Sequence, residues 1–160
     1  MFEFMPEKDT SKPLLYSALA KAVLNLTAGE RDPVANMANI SALIWQFIPE
    51  LNWAGFYRAL GDELVLGPFL GKPACVRIPF GQGVCGTAAA SGAIQLVPDV
   101  HEFPGHIACD TESRSELVVP VIGSIGLMAV IDLDSPTPGR FDEEDADGME
   151  IVARLAAELI

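Results

Sequence analysis

The chain of 160 residues is poor in several things, and each shortage excludes a class of protein. Basic residues are scarce: 10 Lys and Arg stand against 22 Asp and Glu, for a net charge of −12 at pH 7. No two basic residues adjoin. Phosphate backbones are recognised by clustered Lys and Arg, so nucleic acid is not expected as a partner, nor is an anionic membrane surface. Long apolar runs are missing as well. No stretch approaches the ~20 residues of a membrane span, and the opening MFEFMPEKDT carries acids where a secretion signal has basic and then apolar residues. A cytoplasmic protein is the expectation. Internal repeats, low-complexity tracts and dividing linkers are also lacking, so residues 1–160 are expected to fold as a single domain with a sizeable core.

Cysteine is limited to Cys75, Cys85 and Cys109. An odd count without a secretion signal argues against a structural disulfide framework. Nor do the positions form the CxxC pairs of a zinc ribbon. His106-x-x-Cys109 invites a zinc reading together with Cys75 and Cys85, but that spacing is unlike common structural zinc motifs. No metal and no cofactor are therefore expected. Either the thiols are buried for packing or they work.

What is present is apolar residues, 50% of the chain, in patterns that change along its length. Ser11 and Pro13 open a helix whose Leu15, Ala18, Leu19, Ala22, Val23 and Leu26 keep helical spacing up to Gly29. Asp32-Pro33 opens a second, with Met37, Ile40, Ile44 and Phe47 as its apolar stripe. Strand-like runs then follow at 53–60 and 63–70 around Gly61-Asp62, at 75–80, at 94–97, and at 116–122 and 125–134 around Gly123-Ser124. A short glycine-flanked helix is expected at 83–92 and an acid-started helix from Phe141 to the end. Two helices, sequential antiparallel strands and a closing helix predict an α+β sandwich, a central antiparallel sheet with helices packed on one face. The irregular stretch from Pro98 to Ser115 is long for so small a chain, and such loops are usually functional. Cys109 lies within it, among turn residues, histidines and carboxylates rather than in any apolar period.

Other residues carry chemical potential. In IDLD, the strand period of two puts Asp132 and Asp134 on one face and Ile131 and Leu133 on the other, with Leu127 and Ala129 joining the second set. Glu116 opens the preceding strand, so pairing of the hairpin brings the three acids to one end of the sheet. Clustered acids repel, and one should then hold a proton near neutral pH. By spacing alone, solvated strand ends are the simpler reading and a site is the alternative. Trp53 and Tyr57 share a strand face, with Gly55 leaving space between them, and suit either the wall of a pocket for a thioether or ordinary packing. GQGVCGTA (81–88) enters a helix whose first N–H groups favour an anion such as a carboxylate, but it lacks the GK[ST] of a phosphate loop. Cys85, in that first turn, would have a lowered pKa if exposed, and is equally suited to be a small buried residue.

Five stretches together resemble the free methionine-(R)-sulfoxide reductase family of GAF-domain enzymes: NWAGFY (52–57), GPFLGKPACVRIPFGQGVCGTAA (67–89), PDVHEFPGHIACD (98–110), SELVVP (115–120) and VIDLDS (130–135). The resemblance implies a GAF-like domain with long active-site loops. It implies Cys109 as the catalytic thiol, Cys75 as the resolving one and Cys85 as a third. Glu116, Asp132 and Asp134 match substrate-holding acids, and Trp53 and Tyr57 match pocket aromatics. Also implied are free L-methionine (R)-sulfoxide as substrate, thioredoxin as reductant and a homodimer. The competing reading within the same fold is a non-catalytic, small-ligand-sensing GAF module.

Overall fold

The computed structural model describes residues 10–105 and 110–160. Its helices start where the sequence supplies caps. Helix α1, Lys12–Leu26, has Pro13 in its first turn. Helix α2, Pro33–Phe47, opens on Asp32, whose side chain accepts the backbone N–H of Ala35 at 2.8 Å. Helix α4, Glu143–Ala157, opens on a reciprocal capping box between Asp142 and Asp145. Among the described residues, no helix is long and apolar enough to cross a membrane.

Six strands lie between α2 and α4: β1 Trp53–Leu60, β2 Glu63–Gly71, β3 Arg77–Pro79, β4 Gln95–Val97, β5 Ser115–Gly123 and β6 Gly126–Ser135. They form one sheet in the order β3-β2-β1-β6-β5-β4, every neighbouring pair antiparallel. Strand alternation divides the chain between two cores. Ala54, Phe56, Leu117, Val119, Val121, Ala129, Ile131 and Leu133 face the layer of α1, α2 and α4. Trp53, Tyr57, Leu64, Val118 and Val130 face the other way, towards the short helix α3, Gly83–Ser91, and its flanking loops. The long helices thus pack on one sheet face, and the opposite face belongs to α3 and the irregular segments. Among the described residues of the stretch from Pro98 onward, Val100–Glu102 form a 3-10 turn.

Three sequence expectations shift. The third strand is Arg77–Pro79 rather than 75–80. It pairs only with β2, at the sheet edge, and Pro79 has no N–H to extend a ladder. Cys75 consequently sits in the loop before it. Leu127 leaves the face of Ala129, Ile131 and Leu133 and packs in the α3-side cluster. The cause is a bulge: Val121 pairs with Ala129 but Ile122 pairs with Leu127, so Met128 is extra and the alternation flips there. Pairing of Gly123 with Gly126 also moves the hairpin tip to Ser124-Ile125.

Candidate active site

Register assembles the site on the α3 side of the sheet. Trp53 of β1, Asp134 of β6 and Glu116 of β5 lie in one cross-strand row, and Gly55, Asp132 and Val118 in the next. Residues of three strands, distant in sequence, thereby bring the acids together. These are not solvated strand ends, for Glu116 and Asp132 are each only 6% exposed. Among the described residues no Lys or Arg forms an ion pair with Asp132 or Asp134. Burial first, then the repulsion of Asp132 and Asp134, holds Glu116 well above the usual carboxylate range. Burial likewise pushes Asp132 up to about 7, and burial followed by the charges of Asp132 and Asp110 raises Asp134 well above its usual value. Asp132 Oδ1 is buried without a hydrogen-bond partner among the described residues. Burial therefore favours the protonated forms of these acids near neutrality, a feature that clusters at functional sites.

Cys85 stands against this cluster from the first turn of α3, its Sγ 3.9 Å from Glu116 Oε1. Exposure would have lowered its pKa. The thiol is buried instead, and burial, with Asp132 and Glu116 adding negative charge, raises its pKa well above the ordinary value. Cys85 is thus a protonated neighbour of the acids. The first intrahelical donor of α3 is Gly86 N, bonded to Gln82 O at 3.1 Å, and the N–H groups of Gly83, Val84 and Cys85 precede it at the cleft.

Tyr57, Ile78, Val84, Cys85 and the three acids bound a cleft. Trp53 and Tyr57 stack with ring centroids 5.7 Å apart, and Trp53 stacks on Phe69 at 5.2 Å. The indole N–H donates to the Lys72 carbonyl at 3.2 Å, which fixes the ring. The space that Gly55 leaves is taken by β2: a Cβ at Gly55 would lie 2.4 Å from Phe69 Cβ. Glycine is thus needed for strand approach, and Phe69 continues the aromatic wall.

Cys75 is half-buried and packs against this aromatic cluster. Cys109 and His106 lie outside the described residues. Asp110, directly after Cys109, does line the cleft. So does Ser113, which hydrogen-bonds Asp134 and accepts the Asn52 Nδ2 at 3.0 Å. Sequence reasoning missed Asn52, Asp110 and Ser113. Their only signal was adjacency, Asn52 before Trp53 and Asp110 after Cys109, because contacts across so many residues leave no local period.

Cys85, Glu116 and Asp132 also offer ligand atoms within 4.8 Å of one another, enough to hold a cation. Such a cation would have to displace protons from groups that burial keeps neutral. The chemistry most natural to the cleft is different. Protonated buried acids can give a proton to a developing oxygen anion, and their ionised forms can hold an ammonium group.

The GAF domain family matches residues 26–160. The free methionine-R-sulfoxide reductase of Escherichia coli is 49% identical over 146 residues, covering 91% of this chain and 88% of that relative. The enzyme of the same name from Saccharomyces cerevisiae is 47% identical over 81% of this chain and 77% of its own. Among solved structures, free methionine-R-sulfoxide reductase of Neisseria meningitidis in complex with its substrate superposes with a TM-score of 0.91. It is 40% identical, over 96% of this chain and 93% of that one.

Proposed function

The chain belongs to the GAF-domain family of free methionine-R-sulfoxide reductases, and from that premise we propose that it reduces free L-methionine (R)-sulfoxide to L-methionine. Cys109 is the nucleophile. Its thiolate attacks the sulfoxide sulfur while an acid of the Glu116–Asp132–Asp134 cluster shares its proton with the sulfoxide oxygen. The protonated oxygen then passes from the substrate sulfur to the Cys109 sulfur: the substrate S–O bond and the transient sulfur–sulfur bond break, and an S–O bond forms on Cys109. Methionine leaves reduced by two electrons and Cys109 is left, oxidised by two, as a sulfenic acid. The Cys75 thiol then attacks the Cys109 sulfur. A Cys75–Cys109 disulfide forms and the oxygen departs as water. A dithiol of the thioredoxin type restores both thiols by exchange.

The observation that carries this reading is the buried acid cluster, whose members hold protons near neutral pH within a cleft that also receives Asp110, the residue after Cys109. A carboxylate of the cluster that has released its proton holds the substrate ammonium, and the amino end of α3 receives the substrate carboxylate. Both charged ends exist only in a free amino acid, which favours free methionine sulfoxide over a residue within a protein. Trp53 and Tyr57 wall the thioether end, and Cys85 serves as a third, protonated thiol beside Glu116. Residues 1–160 act as one GAF domain, as a homodimer in the cytoplasm, where reduced thioredoxin is available. Family resemblance is the ground for the dimer and the reductant.

Counting methionine released per chain in the absence of any reductant tests the order of steps. Cys75→Ser should release about one equivalent and stall, as an enzyme with a covalent intermediate and no resolving step does. Cys109→Ser should release none. Repeated turnover by Cys109→Ser with reductant supplied would remove Cys109 as the nucleophile.

A further inference from the structure

The loop that carries Cys75 is pinned to the segment that begins one residue after Cys109. Strand β2 ends at Gly71, followed by Lys72-Pro73-Ala74-Cys75. The backbone here is fixed against β1. The Lys72 carbonyl accepts the Trp53 indole N–H at 3.2 Å, and Gly71, at φ 128°, lies so close that a Cβ would meet Asn52 O at 2.7 Å. From this fixed base the Lys72 side chain crosses the gap. Its Nζ is 3.3 Å from Asp110 Oδ1 and also pairs with the Glu112 carboxylate. The Asp110 carboxylate is held from two further directions, by Asn52 Nδ2 at 3.3 Å and by the Glu112 backbone N–H at 2.9 Å. Those contacts, the Glu112 N–H foremost, keep Asp110 below the usual carboxylate range, so it stays charged for Lys72 throughout the working pH.

We propose that Lys72 is a positioning residue for the second half of the reaction: by clamping Asp110 and Glu112 it holds the Cys75 loop and the Cys109 loop in the register that disulfide formation requires. This rests on the cysteine roles given above. A disulfide forms only when the two Cα atoms come within about 4–7 Å with their Cβ vectors facing. Two loops joined to the sheet at different strands do not keep such a relation unaided. An exposed lysine pairing with two acids adds little to stability. What it adds is a fixed relation between two backbones, and here those backbones carry the reacting sulfurs. The step it serves is balanced within the chain: the Cys75 sulfur displaces the oxygen of the Cys109 sulfenic acid, the new S–S bond replaces S–O, and the thiol proton leaves with the oxygen as water. The oxidant is the sulfoxide already consumed.

Lys72→Ala and Lys72→Arg separate this role from a merely structural one. Rapid-quench single turnovers would follow methionine release by chromatography and disulfide formation by thiol counting, with a sulfenic-acid trap added in parallel. Lys72→Ala should slow disulfide formation about tenfold more than it slows methionine release, the order of effect expected when the two sulfurs lose their relative placement. The trap should then capture the sulfenic acid that accumulates. Lys72→Arg, which keeps the charge, should restore the rate of disulfide formation. Wild type in about 0.5 M salt, where the Debye length falls to roughly 4 Å, should move towards the alanine variant. An unchanged disulfide step in Lys72→Ala would overturn the proposal. Equal slowing of both steps, or no recovery with arginine, would overturn it too. If wild type itself releases no methionine, the failure belongs to the proposed reaction and not to Lys72.

Discussion

The molecule buries carboxylates on both sides of its sheet and treats them in opposite ways. On the long-helix side, Asp145 is 1% exposed and surrounded by donors. It accepts Lys12 Nζ at 2.7 Å, the Tyr16 hydroxyl at 2.8 Å, Arg140 Nη1 at 3.3 Å and the Asp142 backbone N–H at 3.0 Å. It also ties α1 to α4. On the α3 side, Glu116, Asp132 and Asp134 are brought together by strand register, and their nearest charged neighbours include one another and Asp110. The comparison separates two uses of one chemical group. A buried carboxylate whose two oxygens both meet donors is a structural joint. Carboxylates buried against each other hold protons at a pH where they would ordinarily have lost them, and such protons are available for chemistry.

Substitutions that remove charge but keep shape should show the difference most strongly. Glu116→Gln should lower turnover of methionine sulfoxide by about 10²–10⁴-fold, the range for loss of a positioned proton donor, with the fold retained by circular dichroism. Wild-type turnover would remove Glu116 from the reaction, however deeply it is buried. Asp145→Asn reverses the pattern. Denaturant melts should show a loss of roughly 1–3 kcal/mol, the cost of losing charge-assisted hydrogen bonds at a buried group, with Lys12 keeping Asp142 and Arg140 keeping Glu50, while turnover per folded molecule stays near wild type. A stability loss in Glu116→Gln as large as that in Asp145→Asn would erase the distinction.

A smaller effect sharpens it through pH. The folded-state pKa of Glu116 lies above its unfolded value, so the folded chain binds the proton more tightly. Its contribution to stability is complete below the ordinary carboxylate range and is lost as pH rises through the raised folded pKa. Glu116→Gln has no such loss. Relative to wild type it should therefore gain stability as pH rises above the ordinary carboxylate range and through the raised folded value. Parallel pH–stability curves for the two proteins would show that Glu116 is not held protonated by its surroundings.

The two regions also differ in how far a sequence reading reaches them. Period two puts Asp132 and Asp134 on one face without reference to any other part of the chain, and the structure keeps them there. The helix starts at Pro13 and Asp32-Pro33 are equally local, resting on caps and on proline geometry. Burial is not local. Whether the acids were solvated ends or a site depended on α3 and the loops closing over them, and the same closure decides for the buried alternative at Cys85, whose pKa it raises. The bulge at Met128 misplaces Leu127 because an extra residue in a strand leaves no mark on apolar spacing. Asn52, Ser113 and Asp110 meet only through the tertiary fold, as do Lys12, Tyr16 and Asp145. Cys109 drew attention by lacking a structural period. The acids became legible when the structure showed them buried.

The chain reduces the free amino acid sulfoxide of one configuration. The most direct test of this is chromatographic consumption of free L-methionine (R)- and (S)-sulfoxides by the purified, thiol-reduced protein, with thioredoxin and its recycling system supplied. Loss of the R isomer alone, with an equal yield of methionine, is the expected result. Persistence of both isomers before a folded protein would contradict it and leave a ligand-sensing module as the better description.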